Sequence, residues 1–368
     1  VSTEDDTEES PIRPSFGLGA NGITLDSLQI DQMIQMASGQ VFRKKTAQET
    51  LEELGVDGPA RLSVEEHQER MRRAFHFGPW LKPATDLKNL WQGETVCIVG
   101  SGPSLERTLF EILDLVADGA KIIAVNKTHD WLIERGIIPT FGILTDPKDW
   151  VAGYQTPHPD VIYILASQCH DTVFEKFKGH PRVYLMHCLG THDDPDILIN
   201  EAQKTGKSFF ATAGGSTTTL RAFDTAALLL GFVGHHFFGI DSSGVEMFGM
   251  YPMDITKPHY DKINLTLQLN DPADETPLPQ VYSTTVPMYH QARQFELLLA
   301  DRKEGIKEGK YPKVRIGVHG RGMLPDWCAL RGLHADPRRR EQLLATKPKP
   351  IVAPEVEFTE VQIGGGNG

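Results

Sequence analysis

The residues best placed to do chemistry stand at the ends of short apolar runs. Cys97-Ile98-Val99 leads into Gly100-Ser101-Gly102-Pro103-Ser104 and then Leu105-Glu106. This is the pattern of a strand turning through glycines into a helix that opens on a hydroxyl. Glycines let the backbone approach an anion, and a helix start offers unpaired amides with a partial positive charge. Gly100, Ser101, Gly102, Pro103 and Ser104 are therefore expected to cradle a phosphate; a ligand-free strand-to-helix turn is the plainer alternative. The dinucleotide fingerprint is not completed, because Leu105 and Glu106 stand where its third glycine belongs. No Walker A lysine follows.

Further polar residues end later apolar runs. Asn126 follows Ile123-Ala124-Val125 and is expected to hydrogen-bond a base or ribose, or else to turn the chain. Asp146, after Ile143-Leu144-Thr145, could hold a cation that bridges phosphates or could open an Asp-Pro turn. Gly214-Gly215-Ser216 reads as a second glycine-and-hydroxyl helix start, suited to a diphosphate or carboxylate. Asp241, after Gly239-Ile240, is a second candidate for metal contact or for orienting a hydroxyl. His259 and His187 are candidate general bases, since neutral imidazole matches proton transfer near neutral pH. Either could equally be structural. Cys169-His170 and His187-Cys188 invite a zinc site, but neighbours on a strand point to opposite faces, which argues against one.

The elements that must position these residues follow from the apolar pattern. Strands are expected at Thr95–Val99, Lys121–Val125, Thr140–Leu144, Val161–Leu165, Arg182–Met186, Phe237–Ile240 and Val314–Val318. Between the first two, Leu105, Leu109, Ile112, Leu113 and Val116 share one helical face. Further helices are expected from about Ala213 to Leu230 and from Val286 to Lys303. Strand, helix, strand implies parallel pairing through crossovers, hence a doubly wound, mainly parallel α/β sheet of Rossmann-like type. Residues 1–20 are expected as a disordered acidic tail and 21–90 as a helical segment, with a capping box at Ser63-Val64-Glu65-Glu66. Residues 91–330 would form the nucleotide-binding domain and 331–368 a C-terminal tail.

Composition sets the outer bounds. A net charge of −12 argues against broad nucleic-acid binding, so none is indicated. The clusters Arg43-Lys44-Lys45, Arg70 with Arg72-Arg73, and Arg338-Arg339-Arg340 read as solvated helix faces or flexible segments. No apolar run reaches the roughly 20 residues that span a bilayer. Four scattered cysteines read as reduced, buried thiols, and no export signal opens the chain, so a cytoplasmic location is expected.

In this order the pieces resemble the family called DUF115 or MptE-like. That family includes archaeal 6-hydroxymethylpterin diphosphokinases and the Maf motility-associated glycosyltransferases. The resemblance runs from about Leu87 to Gly244. Its carriers are Ile98 to Leu105, Ala124 to Lys127, Gly136 to Pro139 leading to Asp146-Pro147, and Gly214-Gly215-Ser216 leading to Asp241. The Gly100 to Leu105 stretch is also similar to the nucleotide-binding loop of bacterial sialyltransferases. Archaeal diphosphokinases tend to show Asp-Leu-Asp-Gly where this chain has Thr145-Asp146-Pro147-Lys148-Asp149. A single carboxylate is a poorer magnesium clamp than a pair. The resemblance thus implies a nucleotide-dependent transferase, foremost a glycosyltransferase-like one with a CMP- or UDP-sugar donor. Diphosphokinase-like pyrophosphoryl transfer from ATP, and a non-catalytic nucleotide-binding protein, are its competitors. A nucleotide or nucleotide-sugar would be the partner, with magnesium and a homo-oligomer both compatible and the acceptor undefined.

Overall fold

Alternating apolar and amphipathic stretches become alternating strands and helices in the structure, a computed structural model that describes residues 16–18, 62–191, 193–215, 217–243, 264–311 and 313–346. The strands are β1 Phe16–Leu18, β2 Lys82–Pro83, β3 Thr95–Val99, β4 Lys121–Val125, β5 Phe141–Leu144, β6 Ile162–Ala166, β7 Val183–Cys188, β8 Ala211–Thr212, β9 Gly234–Phe238, β10 Asn264–Asn270, β11 Pro277–Thr285 and β12 Arg315–Val318. The helices are α1 Val64–Ala74, α2 Leu109–Ala117, α3 Thr128–Glu134, α4 Asp171–Phe177, α5 Asp194–Thr205, α6 Thr218–Asp224, α7 Val286–Lys307, α8 Met323–Leu330 and α9 Arg338–Ala345.

Nine strands form one sheet in the order β12-β9-β3-β4-β5-β6-β7-β2, with β8 paired to β7. Every pairing in it is parallel. The fold is a doubly wound, Rossmann-like α/β sheet, as the sequence pattern predicts. β1, β10 and β11 make a separate antiparallel sheet.

Successive side chains of a strand face opposite ways, so each central strand feeds two cores. Val96 and Ile98 of β3 pack with Leu220 and Phe223 of α6 and with Phe295 of α7. Cys97 and Val99 pack with Ile112 of α2 and Leu132 of α3. The chain runs from β3 to β7 in one direction and then returns to lay β9 on the other side of β3. That reversal is the topological switch point, where open α/β sheets form their crevice at the strands' carboxyl ends.

Several expectations are corrected. The helix after Ser104 opens as a 3₁₀ turn, Leu105–Thr108, before α2 begins. The helix expected from Ala213 starts only at Thr218 and passes into a π-helical turn over Thr225–Leu230. The sheet begins ahead of residue 91, because β2 pairs with β7. The capping box holds, with Ser63 Oγ accepting from the Glu66 amide at 3.1 Å. All four cysteines are free and buried. Among the described residues no helix is long and apolar enough to cross a membrane.

Arg43-Lys44-Lys45 lies outside the described residues, and the other two basic clusters are not merely solvated faces. Arg70 is buried and donates to the carbonyls of Pro147 and Gln168, both at 2.8 Å. Arg339, in the stretch expected as a tail, lies on α9 and grips Asp326 through Nε at 2.6 Å and Nη2 at 2.7 Å. Asp326 is buried and also accepts from the Tyr282 hydroxyl at 2.6 Å. Removing one partner of a buried ion pair strands the other's charge. Arg339→Ala is therefore expected to lower unfolding stability by about 3 kcal/mol. A urea titration showing no change would return residues 331–346 to the status of a tail.

Candidate functional site

At the switch point the exits of β3 and β9 are pressed together. The Gly100 amide donates to Phe238 O at 2.8 Å and the Gly102 amide to Gly239 O at 2.7 Å. A Cβ on Gly100 would stand 2.7 Å from Gly239 O, and one on Gly102 would stand 2.8 Å from the Gly239 carbonyl. Gly239 itself has φ +61°. These glycines are needed for main chain to meet main chain, where the sequence suggested main chain meeting phosphate. Pro103 has no amide and Leu105 N donates to Gly102 O. Ser101 thus carries the loop's amide without a hydrogen-bond partner among the described residues.

Asp241, two residues beyond Gly239, closes the junction. Its Oδ2 accepts from the Ser104 amide and its Oδ1 from the Ser104 hydroxyl, each at 2.6 Å. The side chain is 2 % exposed. Burial pushes its pKa up to about 6, against the two Ser104 hydrogen bonds that favour the charged form. Both oxygens are engaged with Ser104, so Asp241 acts as an internal anion at the start of the helical turn.

The ends of β4 and β5 meet the start of α6. Asn126 sits in the left-handed region at φ 51°. Its amide donates to Ile143 O at 3.2 Å and its carbonyl accepts from Gln155 Nε2 at 3.2 Å. Its Oδ1 accepts from the Thr218 hydroxyl at 3.5 Å, and Thr218 shares a 2.7 Å hydrogen bond with Thr145. Thr217 is the N-cap of α6, accepting from the Leu220 amide, and its hydroxyl also accepts from Gln291 Nε2 at 3.4 Å. Gln291 accepts in turn from the Ser242 hydroxyl at 3.2 Å. One network therefore joins the ends of β4, β5 and β9 to two helices.

Other expected site residues fall elsewhere. Asp146 is half-buried and takes the Lys148 amide on Oδ1 at 3.1 Å, which makes an Asp-Pro-Lys turn. Burial raises its pKa, with the Lys148 amide and charge opposing. It follows β5 while Asp241 follows β9, three strand steps or roughly 14 Å apart. The two carboxylates do not share a cation. Among the described residues no three His, Cys, Asp or Glu side chains gather to hold a metal. Gly214 approaches Asp224, whose Oδ2 would stand 2.3 Å from a Cβ there, and Gly215 has φ +78°. They form a turn ahead of α6 and not its first turn. His187 is 1 % exposed, stacked on Phe75 at 4.9 Å between ring centroids and edged by Phe209. Burial drives its pKa down to about 3. It lies on β7, four strand steps or roughly 19 Å from β3, so the structure does not bring it to the Asp241 junction. His259 and Ser216 lie outside the described residues.

Thr145 and Thr218 carry hydroxyls that the sequence motifs already contain. Gln155 and Gln291, by contrast, had no signal, being single amides within otherwise ordinary stretches.

Two outcomes follow. The folded chain keeps the Asp241 proton up to about pH 6, whereas an unfolded carboxyl releases it near 3.8. Ionised Asp241 therefore subtracts stability as pH rises through that window. Asp241→Asn can keep both contacts with Ser104 and stays neutral. Its deficit relative to wild type should shrink by up to about 3 kcal/mol between about pH 4 and pH 7. Urea midpoints at the two pH values read this directly, and a deficit independent of pH would contradict it. Gly102→Ala should destabilise by about 1–3 kcal/mol without any ligand, because the Gly239 main chain must move; a thermal melt like that of wild type would contradict it.

The family model described as 6-hydroxymethylpterin diphosphokinase MptE-like matches residues 70–245. No curated protein matches the chain. Among solved structures, the Maf glycosyltransferase from Magnetospirillum magneticum AMB-1 is similar at 18 % identity and TM-score 0.43, covering 81 % of this chain and 44 % of that one. The chain thus spans less than half the length of that structure. The matched stretch, residues 70–245, holds the β3 exit, Asn126, Asp146, the α6 start and Asp241, and over it the chain is similar to the MptE-like family.

Proposed function

We propose that the chain is a nucleotide-dependent transferase of glycosyltransferase type, with a CMP- or UDP-sugar as donor. The observation that carries this is the hydroxyl and amide network of Asn126, Thr145 and Thr218 at the carboxyl edge of β4 and β5, beside the switch point. Such groups read neutral hydrogen-bonding edges of a base, ribose or sugar. Asn126 would meet the nucleotide, with Gly100 to Ser104 as the rigid floor and the Ser101 amide offered to the donor. Gly214 and Gly215 shape the approach to α6. Were magnesium to enter, Asp146 would supply the one protein carboxylate and phosphate oxygens the rest of its shell. The enclosed position of His187 keeps His259 as the candidate general base for the acceptor hydroxyl. Transfer of pyrophosphate from ATP is the second possibility, supported by the description of the matching family model.

A thermal-shift panel of CMP-, UDP- and GDP-sugars, and of ATP with magnesium, tests this. A true donor at a hundredfold excess over its Kd stabilises by about 2.7 kcal/mol. A response to CMP- or UDP-sugars supports the first assignment and a magnesium-dependent response to ATP the second. Silence toward every nucleotide defeats both. Asn126→Gly removes the side chain while tolerating φ 51° and should weaken the response about tenfold in ligand concentration.

A further inference from the structure

Helix α1 runs across the carboxyl ends of three strands. Arg70 donates from Nη1 to Pro147 O, just past β5, and to Gln168 O, just past β6, both at 2.8 Å. Gln168 Nε2 in turn donates to Thr145 O at 2.5 Å, which couples the helix to the Thr145–Thr218 pair. His67 lies three residues before Arg70 and so shares its face of α1. It reaches the exit of β7, with Nε2 3.2 Å from Asp194 Oδ2. The helix does not need this contact to dock, because Arg70 is buried at the strand ends and Met71 packs on Leu198 of α5.

Asp194, the first residue of α5, is fully buried and fully engaged. Its Oδ2 accepts from the Gly190 amide at 2.7 Å and the Thr191 amide at 2.9 Å, and its Oδ1 from the Thr191 hydroxyl at 2.6 Å. Burial pushes its pKa up, but the hydrogen bonds from His67, Thr191 and Gly190 outweigh that and hold the carboxyl well below the usual carboxylate range. An ionised carboxylate can only accept, so His67 Nε2 carries the hydrogen and Nδ1 keeps its lone pair. Nδ1 has no hydrogen-bond partner among the described residues, and the side chain is 12 % exposed. A fixed tautomer, a satisfied carboxylate behind the ring and an open nitrogen in front are the parts of a general base. His187, shut between aromatic rings, has none of them.

We propose that His67, oriented by Asp194, is the base that takes the proton of the acceptor hydroxyl. This rests on the transferase reading above and gives a described residue to the step for which His259 is the other candidate. From β5 to β7 is two strand steps, roughly 10 Å, so a donor read at Asn126 and Thr145 would extend its sugar toward the dyad. The acceptor oxygen bonds to the anomeric carbon as its proton passes to His67 Nδ1. The bond from that carbon to the donor's phosphate oxygen breaks, and its electron pair leaves with the nucleotide. Ionised Asp194 holds the imidazolium until the proton returns to solvent.

Water can stand in for the acceptor, so release of CMP or UDP from CMP- and UDP-sugars by the full chain tests the dyad. His67→Gln can still donate to Asp194 and should melt like wild type. Its kcat should fall about a hundredfold or more with the donor KM unchanged, and the loss of rate that wild type shows on the acid side should disappear. If the lower rate vanishes once it is divided by the folded fraction, the contact is a helix dock and the dyad is wrong. A wild-type rate and pH profile in His67→Gln also overturns it and leaves the transferase reading standing, with the base at His259 if His259→Gln loses the acid limb instead. A donor that binds but is never hydrolysed by wild type removes the dyad and spares nucleotide binding. If no donor binds, both readings fall.

Discussion

The contact on which the crevice depends is the buried carboxylate of Asp241 against Ser104. Two hydrogen bonds of 2.6 Å join the exit of β9 to the exit of β3. A charge this enclosed is tolerated because both oxygens are satisfied, one by a main-chain amide at the opening of a helical turn. The contact sets the distance between two main chains, and that distance makes glycines of residues 100, 102 and 239. Gly320 and Gly322, with φ of +92° and +132°, let a third segment close over the same carboxylate. The Leu324 amide donates to Asp241 O at 3.1 Å and Ser243 Oγ accepts from the Met323 amide at 2.9 Å. One acid thus fixes the exits of β3, β9 and β12.

An internal anion at a helix start does the electrostatic work a bound phosphate would do, and it changes where a ligand's charge is favoured. The first turn after Ser104 is already complemented by Asp241. Toward β4 and β5 the polar groups are hydroxyls and an amide, with Asp146 held in its own turn.

The fold was legible because its determinants are local. β3 and β4 match their apolar runs residue for residue, since a strand buried on both faces must be apolar throughout. The positions of Asn126, Asp146 and Asp241 at strand ends were legible for the same reason. Their roles were not. A glycine that admits a phosphate and a glycine that admits another strand's backbone leave the same letter in the chain, and only the neighbour, here Gly239, decides. Asp241 is 137 positions from Ser104, so nothing in the local pattern announces that they are partners. His187 ends an apolar strand in sequence, but Phe75 and Phe209, which enclose it, come from segments far along the chain or on another element. β10 and β11 escaped notice because their strands mix Gln, Asn, Ser and Thr with apolar residues and pair with each other, outside the main sheet.

That second sheet is nevertheless part of the site's support. Thr284 on β11 donates to Ser242 O at 2.7 Å, and Ser242 holds φ 51° immediately after Asp241. Two positions earlier on the same strand, Tyr282 reaches Asp326, which Arg339 grips from α9. β11 is thereby fastened at one point to the crevice and at another to the C-terminal helices. A residue held in the left-handed region needs such bracing, since an unbraced serine would relax to an ordinary φ. Relaxation at Ser242 would rotate Asp241 off Ser104 and let the β3 and β9 exits part. β11 is therefore best understood as a strut: it braces a strained serine so that the neighbouring carboxylate stays fixed, and through that carboxylate it keeps the floor of the crevice rigid.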